Sequence, residues 1–354
     1  MSEFLSRRFS QMKPYVPGEQ PQDMRYIKLN TNESPFPPSP KVLRAVNIDE
    51  VAKLQLYPDP ENKSLVAQIA DFYQLEPSQV MAANGSDEIL GYAFMAFCDQ
   101  QKGVCFPDIS YGFYKVYAEL FKINVLPIPV KDDLSINYRD YLNCGLTMVI
   151  ANPNAPTGLC LPPEQIEEIL KSNPHDLLIL DEAYVDFGGT TCLPLLQKYS
   201  NLLIIRTFSK SRSLAGARIG YALSSAGIIE DLNKMKFSFS PYSINRLSLL
   251  AGVAAMEDKE YFEHCRQQII MTREKTKASL LNMDFVVTNS CTNFLFAKHP
   301  RLTGQELYQK LKEKGILVRH FKQNKIDQYV RITVGTQEQM EKLLAALESI
   351  LEVK

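Results

Sequence analysis

Lys210 ends the run Thr207-Phe-Ser209-Lys210, directly after an aliphatic stretch at 202–206, and Arg218 follows eight residues later. An amine held beside other cationic groups at a strand end is the group that condenses with carbonyl compounds. Standing alone, such a lysine also reads as a solvated surface residue. Asp181-Glu-Ala-Tyr184 follows the apolar run 177–180. An acid there either meets solvent or, if buried, requires a cation such as a protonated ring nitrogen. Asn152-Pro-Asn-Ala-Pro-Thr-Gly158 follows 147–151, where two prolines fix the path and the asparagines offer amides; an ordinary β–α turn is the plainer reading. Asn84-Gly85-Ser86-Asp87-Glu88 lies between the apolar run 80–83 and an amphipathic stretch. Glycine permits a tight turn there, and the free N–H groups of a helix start cradle a phosphate, although a simple helix cap fits the same residues. Together the four segments give the order phosphate turn, amide turn, acid, lysine, each at the end of a predicted strand. That is the edge at which open α/β sheets bind ligands.

The elements that must position these residues alternate along the chain. Strands are predicted at 80–83, 103–106, 124–128, 147–151, 177–180 and 202–206, with helices at 87–98, 111–120 and 163–171 between them. Strands alternating with helices predict an α/β unit built on a mostly parallel sheet flanked by helices. Residues 243–281 read as one or two long helices. Beyond them, strands at 285–288, 294–297, 316–319 and 330–334, with helices at 304–314 and 337–351, predict a smaller α+β unit, completed by an N-terminal arm. The prolines of 30–40 exclude a helix through that segment. The expected organisation is an arm at 1–29 that packs on the small unit and on a partner subunit, a large unit at 30–255 and a small unit at 256–354.

Composition narrows the ligand class. The 39 basic and 40 acidic residues offer no basic face for nucleic acid or a membrane, so a small-molecule ligand is expected. No apolar run approaches the length of a membrane span, and the first twenty residues lack the apolar core of a signal peptide. Seven cysteines are scattered, odd in number and without a C-x-x-C pair, which argues against a disulfide framework or zinc site and favours a reducing cytoplasm. Each reads as a small buried hydrophobe. Histidines 175, 264, 299 and 320 lack ligand-like spacing, no metal site is expected, and the common dinucleotide, P-loop, zinc-protease and serine-hydrolase motifs are missing.

The four segments resemble the fold-type I pyridoxal-phosphate aminotransferases, specifically the histidinol-phosphate aminotransferase family, and the likeness runs over almost the whole chain. Ser209-Lys-Ser-Arg-Ser-Leu-Ala-Gly-Ala-Arg-Ile-Gly-Tyr221 looks like that family's cofactor-lysine motif. The resemblance implies pyridoxal 5'-phosphate bound covalently to Lys210, with Arg218 on its phosphate. The Gly85 turn, the main chain at Ser86 and Asp87, and the Thr207 or Ser209 hydroxyl would share that phosphate. Asp181 would pair with the ring nitrogen, Tyr184 with the ring hydroxyl, and Tyr111 would stack on the ring. Tyr57, in Leu56-Tyr-Pro-Asp59, matches a tyrosine that reaches the neighbouring subunit's cofactor, which implies a homodimer with shared sites. One position departs from the pattern: the family's asparagine before Pro-Thr-Gly is Ala155 here, leaving Asn154, Asn152 or Tyr184 to serve the ring hydroxyl.

Further segments resemble the same family: Pro14-Tyr15, Leu29-Asn-Thr-Asn-Glu-Ser-Pro35, Pro241-Tyr-Ser-Ile-Asn245, Thr292-Asn-Phe294 and Arg331-Ile-Thr-Val-Gly-Thr336. They imply a substrate pocket holding Tyr15, Asn32, Tyr242, Arg319 and Arg331, whose guanidinium groups bind carboxylate or phosphate bidentately. On spacing alone either arginine also reads as half of a surface ion pair. The implied reaction is a ping-pong amino transfer between histidinol phosphate and 2-oxoglutarate, run with glutamate as donor in histidine biosynthesis. Aromatic amino acid transamination and L-threonine-O-3-phosphate decarboxylation share the scaffold. A catalytically silent pyridoxal-phosphate-binding regulator is the alternative of a different class.

Overall fold

The structure, a computed structural model, describes residues 4–6, 9 and 12–352. Within the expected arm, residues 1–3, 7, 8, 10 and 11 lie outside the described residues, as do 353 and 354 at the far end. The first strand, β1 (Ile27–Lys28), belongs to the arm. Seven more follow: β2 (Val80–Ala83), β3 (Val104–Pro107), β4 (Val125–Ile128), β5 (Thr147–Ala151), β6 (Leu178–Asp181), β7 (Leu202–Thr207) and β8 (Gly220–Leu223). They form one sheet in the order β2-β8-β7-β6-β5-β3-β4, in which only β8 runs against its neighbours.

The inner strands β3, β5, β6 and β7 are covered on both faces, which explains why they read as unbroken apolar runs. Successive side chains alternate across the sheet. Ile150, Leu180 and Ile204 enter a core with Leu65, Ile69 and Ile166 from the helices Lys63–Tyr73 and Pro163–Ser172. Val149, Ile179 and Ile205 face the opposite way, onto Leu90, Phe94 and Tyr114 from the helices Gly85–Phe97 and Phe113–Phe121. Truncating any one of the central aliphatic residues to alanine costs about 2–5 kcal/mol.

β8 is a strand that the apolar pattern does not predict, since Gly220-Tyr-Ala-Leu223 is short and glycine-led. Its glycine has a packing cause. A Cβ on Gly220 would run into the backbone of Gly85 and Ser86, so β8 can lie against the Gly85 turn only without a side chain there.

The expected long-helix region is two helices, Arg246–Glu257 and Lys259–Asn282. Beyond them, β9 (Val286–Val287), β10 (Phe294–Lys298), β12 (Arg319–His320) and β13 (Val330–Thr333) form an antiparallel sheet in the order β12-β13-β10-β9. The strand predicted at 316–319 is therefore two strands. β11 (Ile316–Leu317) leaves that sheet and pairs in parallel with β1, tying the arm to this unit. A separate apolar core, including Leu295, Leu307, Val330 and Leu347, lies beneath.

Candidate active site

A cavity of about 500 Å³ opens where β5, β6 and β7 end, and the arm and the β12–β13 pair close its other side. Its floor comes from turns after parallel strands. Asp181 ends β6 and is 5% exposed. Its carboxylate accepts hydrogen bonds from the Tyr114 hydroxyl at 2.8 Å and the Ala183 N–H at 3.1 Å. Burial pushes its pKa up to about 6, against those two hydrogen bonds, and the charges of Asp87 and Glu182 push the same way. A buried carboxylate held this way is the complement of a cationic ring nitrogen.

Lys210 follows β7 and lines the cavity. Its Nζ lies 5.8 Å from the centre of the Tyr184 ring and 3.5 Å from the Thr31 carbonyl oxygen. The turn that carries it is fixed by the main chain: Phe208 N–H donates to Ile219 at 3.0 Å and Leu214 N–H to Phe208 at 3.0 Å. Ser209 N–H donates to the Thr207 hydroxyl at 3.1 Å. Arg218 stands beside this turn, with a left-handed backbone at φ +54°. Its guanidinium reaches the Ser209 hydroxyl at 3.5 Å and pairs with Asp87 at 3.1 Å. Gly85 has φ +84°, and a Cβ there would sit 2.6 Å from Arg218 Nη2. Backbone turn, hydroxyls and guanidinium thus converge at one corner, and that donor set fits a phosphate.

Tyr111 lines the cavity and donates to the Asp87 carboxylate at 2.7 Å; burial raises its hydroxyl's pKa. Asn32 also has a left-handed backbone, at φ +56°, held by Thr333. Its amide donates to the Tyr184 hydroxyl at 2.9 Å, joining the arm side of the cavity to the floor. Tyr15 stacks on Phe113 with ring centres 4.3 Å apart and stands 6.3 Å from the Tyr111 ring.

Arg319 and Arg331 face each other directly across the β12–β13 register. Like charges placed opposite in a sheet are destabilising. Their hydrogen bonds run to main-chain carbonyls of Val16, Pro17 and Asn30 rather than to carboxylates. Burial lowers the pKa of Arg331, and Arg319 adds to that. Nε of Arg331 is buried without a hydrogen-bond partner. Two cations opposed at a cavity wall constitute a receptor for an anion.

Four expected residues are not brought to this cavity. Asn154 is engaged elsewhere: its amide donates to Ile109 at 2.9 Å and Thr157 at 3.2 Å and accepts from Ser110 at 2.8 Å. Asn152 is likewise bonded at both ends to Leu161, at 2.8 and 3.0 Å. Neither amide is free to replace the one missing at Ala155, which lines the wall with its methyl group. Tyr57 and Tyr242 stack on each other at 4.7 Å on the surface, 81% and 46% exposed. Conversely, Tyr114, the partner of Asp181, has no role in the sequence expectations. Its position three residues after Tyr111, in the first turn of the helix Phe113–Phe121 that follows the β3 strand end, is the signal that could have found it.

The aminotransferase class I and II family profile matches residues 25–347. Among curated proteins, the histidinol-phosphate aminotransferase of Marinomonas sp. is 48% identical over 353 residues, covering 99% of this chain and 100% of that protein. The protein of the same description from Brachyspira hyodysenteriae is 46% identical, with coverage of 99% and 100%. Among solved structures, the Sinorhizobium meliloti histidinol-phosphate aminotransferase in complex with pyridoxal-5'-phosphate superposes with a TM-score of 0.85 at 25% identity. That match covers 92% of this chain and 91% of the other. By profile and by full-length likeness, this chain belongs to the class I and II aminotransferases.

Proposed function

We propose that this chain is a pyridoxal-phosphate-dependent histidinol-phosphate aminotransferase, exchanging an amino group between histidinol phosphate and 2-oxoglutarate. The observation that carries the substrate side is the cross-strand pair Arg319 and Arg331, which suits an anionic phosphate ester in one half-reaction and glutamate in the other. The relatives that match over their full lengths support the choice of imidazole substrate. Pyridoxal phosphate, when bound, supplies an electron-withdrawing ring that stabilises negative charge at the substrate's α-carbon.

The side chains divide the remaining work. Lys210 would anchor the cofactor, and its free amine would take the proton from the amino donor's α-carbon in one half-reaction and deliver one to the keto acceptor's α-carbon in the other. Asp181 would hold the ring nitrogen in its protonated form. Tyr184 would donate to the ring hydroxyl and Tyr111 would pack the ring face. Ser86, Asp87, Thr207, Ser209 and Arg218 bind the phosphate, while Arg319, Arg331, Tyr15 and Asn32 orient the substrate.

We also infer a homodimer in which Tyr57, with Tyr242 beside it, completes the neighbouring site. Their exposure, with Leu54, Leu56, Phe237 and Phe239 also exposed, supports it. Light scattering checks the dimer, and Tyr57→Phe lowers cofactor affinity on this reading. A distinct apolar cluster around Leu295, Leu307 and Leu347, joined by Leu29, supports a small unit at 256–354 beside a large one at 30–255, with the arm at 1–29; Phe296, Ile326 and Tyr329 of the small unit pack into the large unit's core. No helix among the described residues is long and apolar enough to cross a membrane. Seven free thiols support a reducing, cytoplasmic location.

Steady-state turnover of histidinol phosphate, phenylalanine, tyrosine and threonine phosphate tests the assignment. Histidinol phosphate should be the best amino donor among them. A higher kcat/KM for any of the others, or release of carbon dioxide from threonine phosphate, would overturn it.

A further inference from the structure

Two cysteines separated by 131 residues in the chain meet at the junction between the two apolar units. Cys160 follows the turn at 152–158 that sets Ala155 and Pro156 on the cavity wall. Cys291 lies in the segment leading into β10. Their sulfurs are 3.1 Å apart, with the Cys160 thiol donating. Cys160 is exposed and Cys291 half-buried. The flanking backbone is already pinned: Cys291 N–H donates to the Gly158 carbonyl at 2.8 Å, and the Thr288 hydroxyl to the Thr157 carbonyl at 2.7 Å. Gly158 (φ +77°) permits this approach, since a Cβ there would lie 2.5 Å from Ser290 Oγ. Forming an S–S bond requires the sulfurs to close by only about 1 Å.

The surroundings also favour thiolate chemistry at Cys291. Arg273 is held beside it by hydrogen bonds to the carbonyls of Phe187 at 2.6 Å and Thr292 at 2.7 Å. The Cys160 hydrogen bond lowers the pKa of the Cys291 thiol, burial opposes that, and the charges of Arg273 and Lys277 assist against Glu274. The other close cysteine pair, Cys105 and Cys144 at 3.2 Å, differs in access, because Cys105 is fully buried in β3.

We propose that Cys160 and Cys291 form a redox-modification site, a dithiol that reacts with a small-molecule disulfide such as glutathione disulfide and closes to an intramolecular cross-link. The Cys291 thiolate attacks one sulfur of glutathione disulfide, forming a mixed disulfide and releasing one glutathione thiolate. The Cys160 thiol loses its proton to solvent, and its thiolate attacks the Cys291 sulfur, releasing the second glutathione. Two cysteine thiols are oxidised to one disulfide, and the glutathione disulfide is reduced to two thiols. The product ties the turn at 152–158 to the segment bearing Asn293. The Asn293 amide donates to the Asn32 carbonyl at 3.0 Å, and Asn32 in turn donates to Tyr184, so the staple restrains the arm side of the cavity against its floor. A cytosolic protein with such a pair fits the transient, sensing use of disulfides in that compartment.

Peptide mapping tests this independently of any turnover assay. The full-length, cofactor-loaded protein is incubated with glutathione disulfide, its remaining thiols are blocked, and it is digested without reduction. The expected first product is a peptide pair joining Cys160 to Cys291, with two thiols and about 2 Da lost per chain. Dithiothreitol should reverse it, and the unfolding temperature of the oxidised form should be higher. Cys160→Ser should stop at glutathione on Cys291, and Cys291→Ser should yield no cross-link. Circular dichroism and cofactor absorbance verify that both variants are folded, with Cys160→Ala as the substitute if serine is not tolerated. Earlier cross-linking of Cys105 to Cys144, glutathione persisting on wild-type Cys291 without closure, or no reaction at either sulfur would each overturn the proposal.

Discussion

The floor and the rim of the cavity are built in opposite ways. The floor residues Asp181, Thr207, Ser209 and Lys210 each sit at or just past the end of a parallel strand, on turns closed by local hydrogen bonds such as Ala183 to Asp181 and Ser209 to Thr207. The rim residues Tyr15, Asn32, Arg319 and Arg331 come from opposite ends of the chain and meet only through long-range contacts such as Asn32 to Thr333. The floor is also electrostatically costly in its own right, because it buries a carboxylate. The rim opposes two guanidinium groups. Each surface is therefore prepared for a charge of the opposite sign, the floor for a cation and the rim for an anion.

That contrast can be broken by substitution, starting with the largest effect. Lys210→Ala should lower turnover by roughly 10²–10⁴-fold and abolish the borohydride-reducible visible absorbance of the loaded protein; an unchanged reducible band would sink the assignment. Asp181→Asn tests the cost of the floor. The pKa of Asp181 in the fold, about 6, lies above its ordinary value of 3.8, so the folded chain binds more protons than the unfolded chain between those values. Its stability therefore falls as pH rises through that window. The cofactor-free Asn variant should be more stable than the parent by about 2–3 kcal/mol near about pH 8, with the gap closing toward about pH 4. Urea denaturation at the two pH values measures it, and equal stabilities at the higher pH would refute it.

Rim substitutions should act on binding instead. Arg331→Ala should raise KM for the phosphate substrate by about 10–100-fold with a smaller change in kcat. A fall in kcat at constant KM would erase the distinction between rim and floor. The smallest effect is expected for Tyr114→Phe, which removes the hydroxyl donating to Asp181. The lost hydrogen bond is worth about 0.5–1.5 kcal/mol, and it should shift the Asp181 titration upward, as followed by carboxyl NMR.

How much was legible follows from the same contrast. Strands β2, β3, β5, β6 and β7 are predictable within a residue or two at either end because they are buried on both faces and read as apolar runs; the edge strand β4 is exposed over its first three residues and is legible only because Val125-Leu-Pro-Ile128 is itself an apolar run. β8 is not, since its leading glycine answers to the Gly85 turn and not to a local strand preference. The division of 316–319 into β11 and β12 was equally hidden, because each half pairs with a different segment. Asn154 misleads for a related reason. Its amide has the right chemistry for a ligand, yet neighbouring carbonyl and hydroxyl groups already satisfy it.

By itself, the sequence determined the parallel-sheet core, the order of the strand-end turns and the identity of Lys210, Asp181 and Arg218 as one set. Those features depend on local burial and turn chemistry, which a linear pattern records. Only the tertiary structure decided that Arg319 opposes Arg331, that Asn32 reaches Tyr184, that Tyr57 stacks on Tyr242 and that Cys160 meets Cys291. Each of those joins segments far apart in the chain. Their proximity is set by how the units pack and how strands register, which spacing along the sequence does not encode.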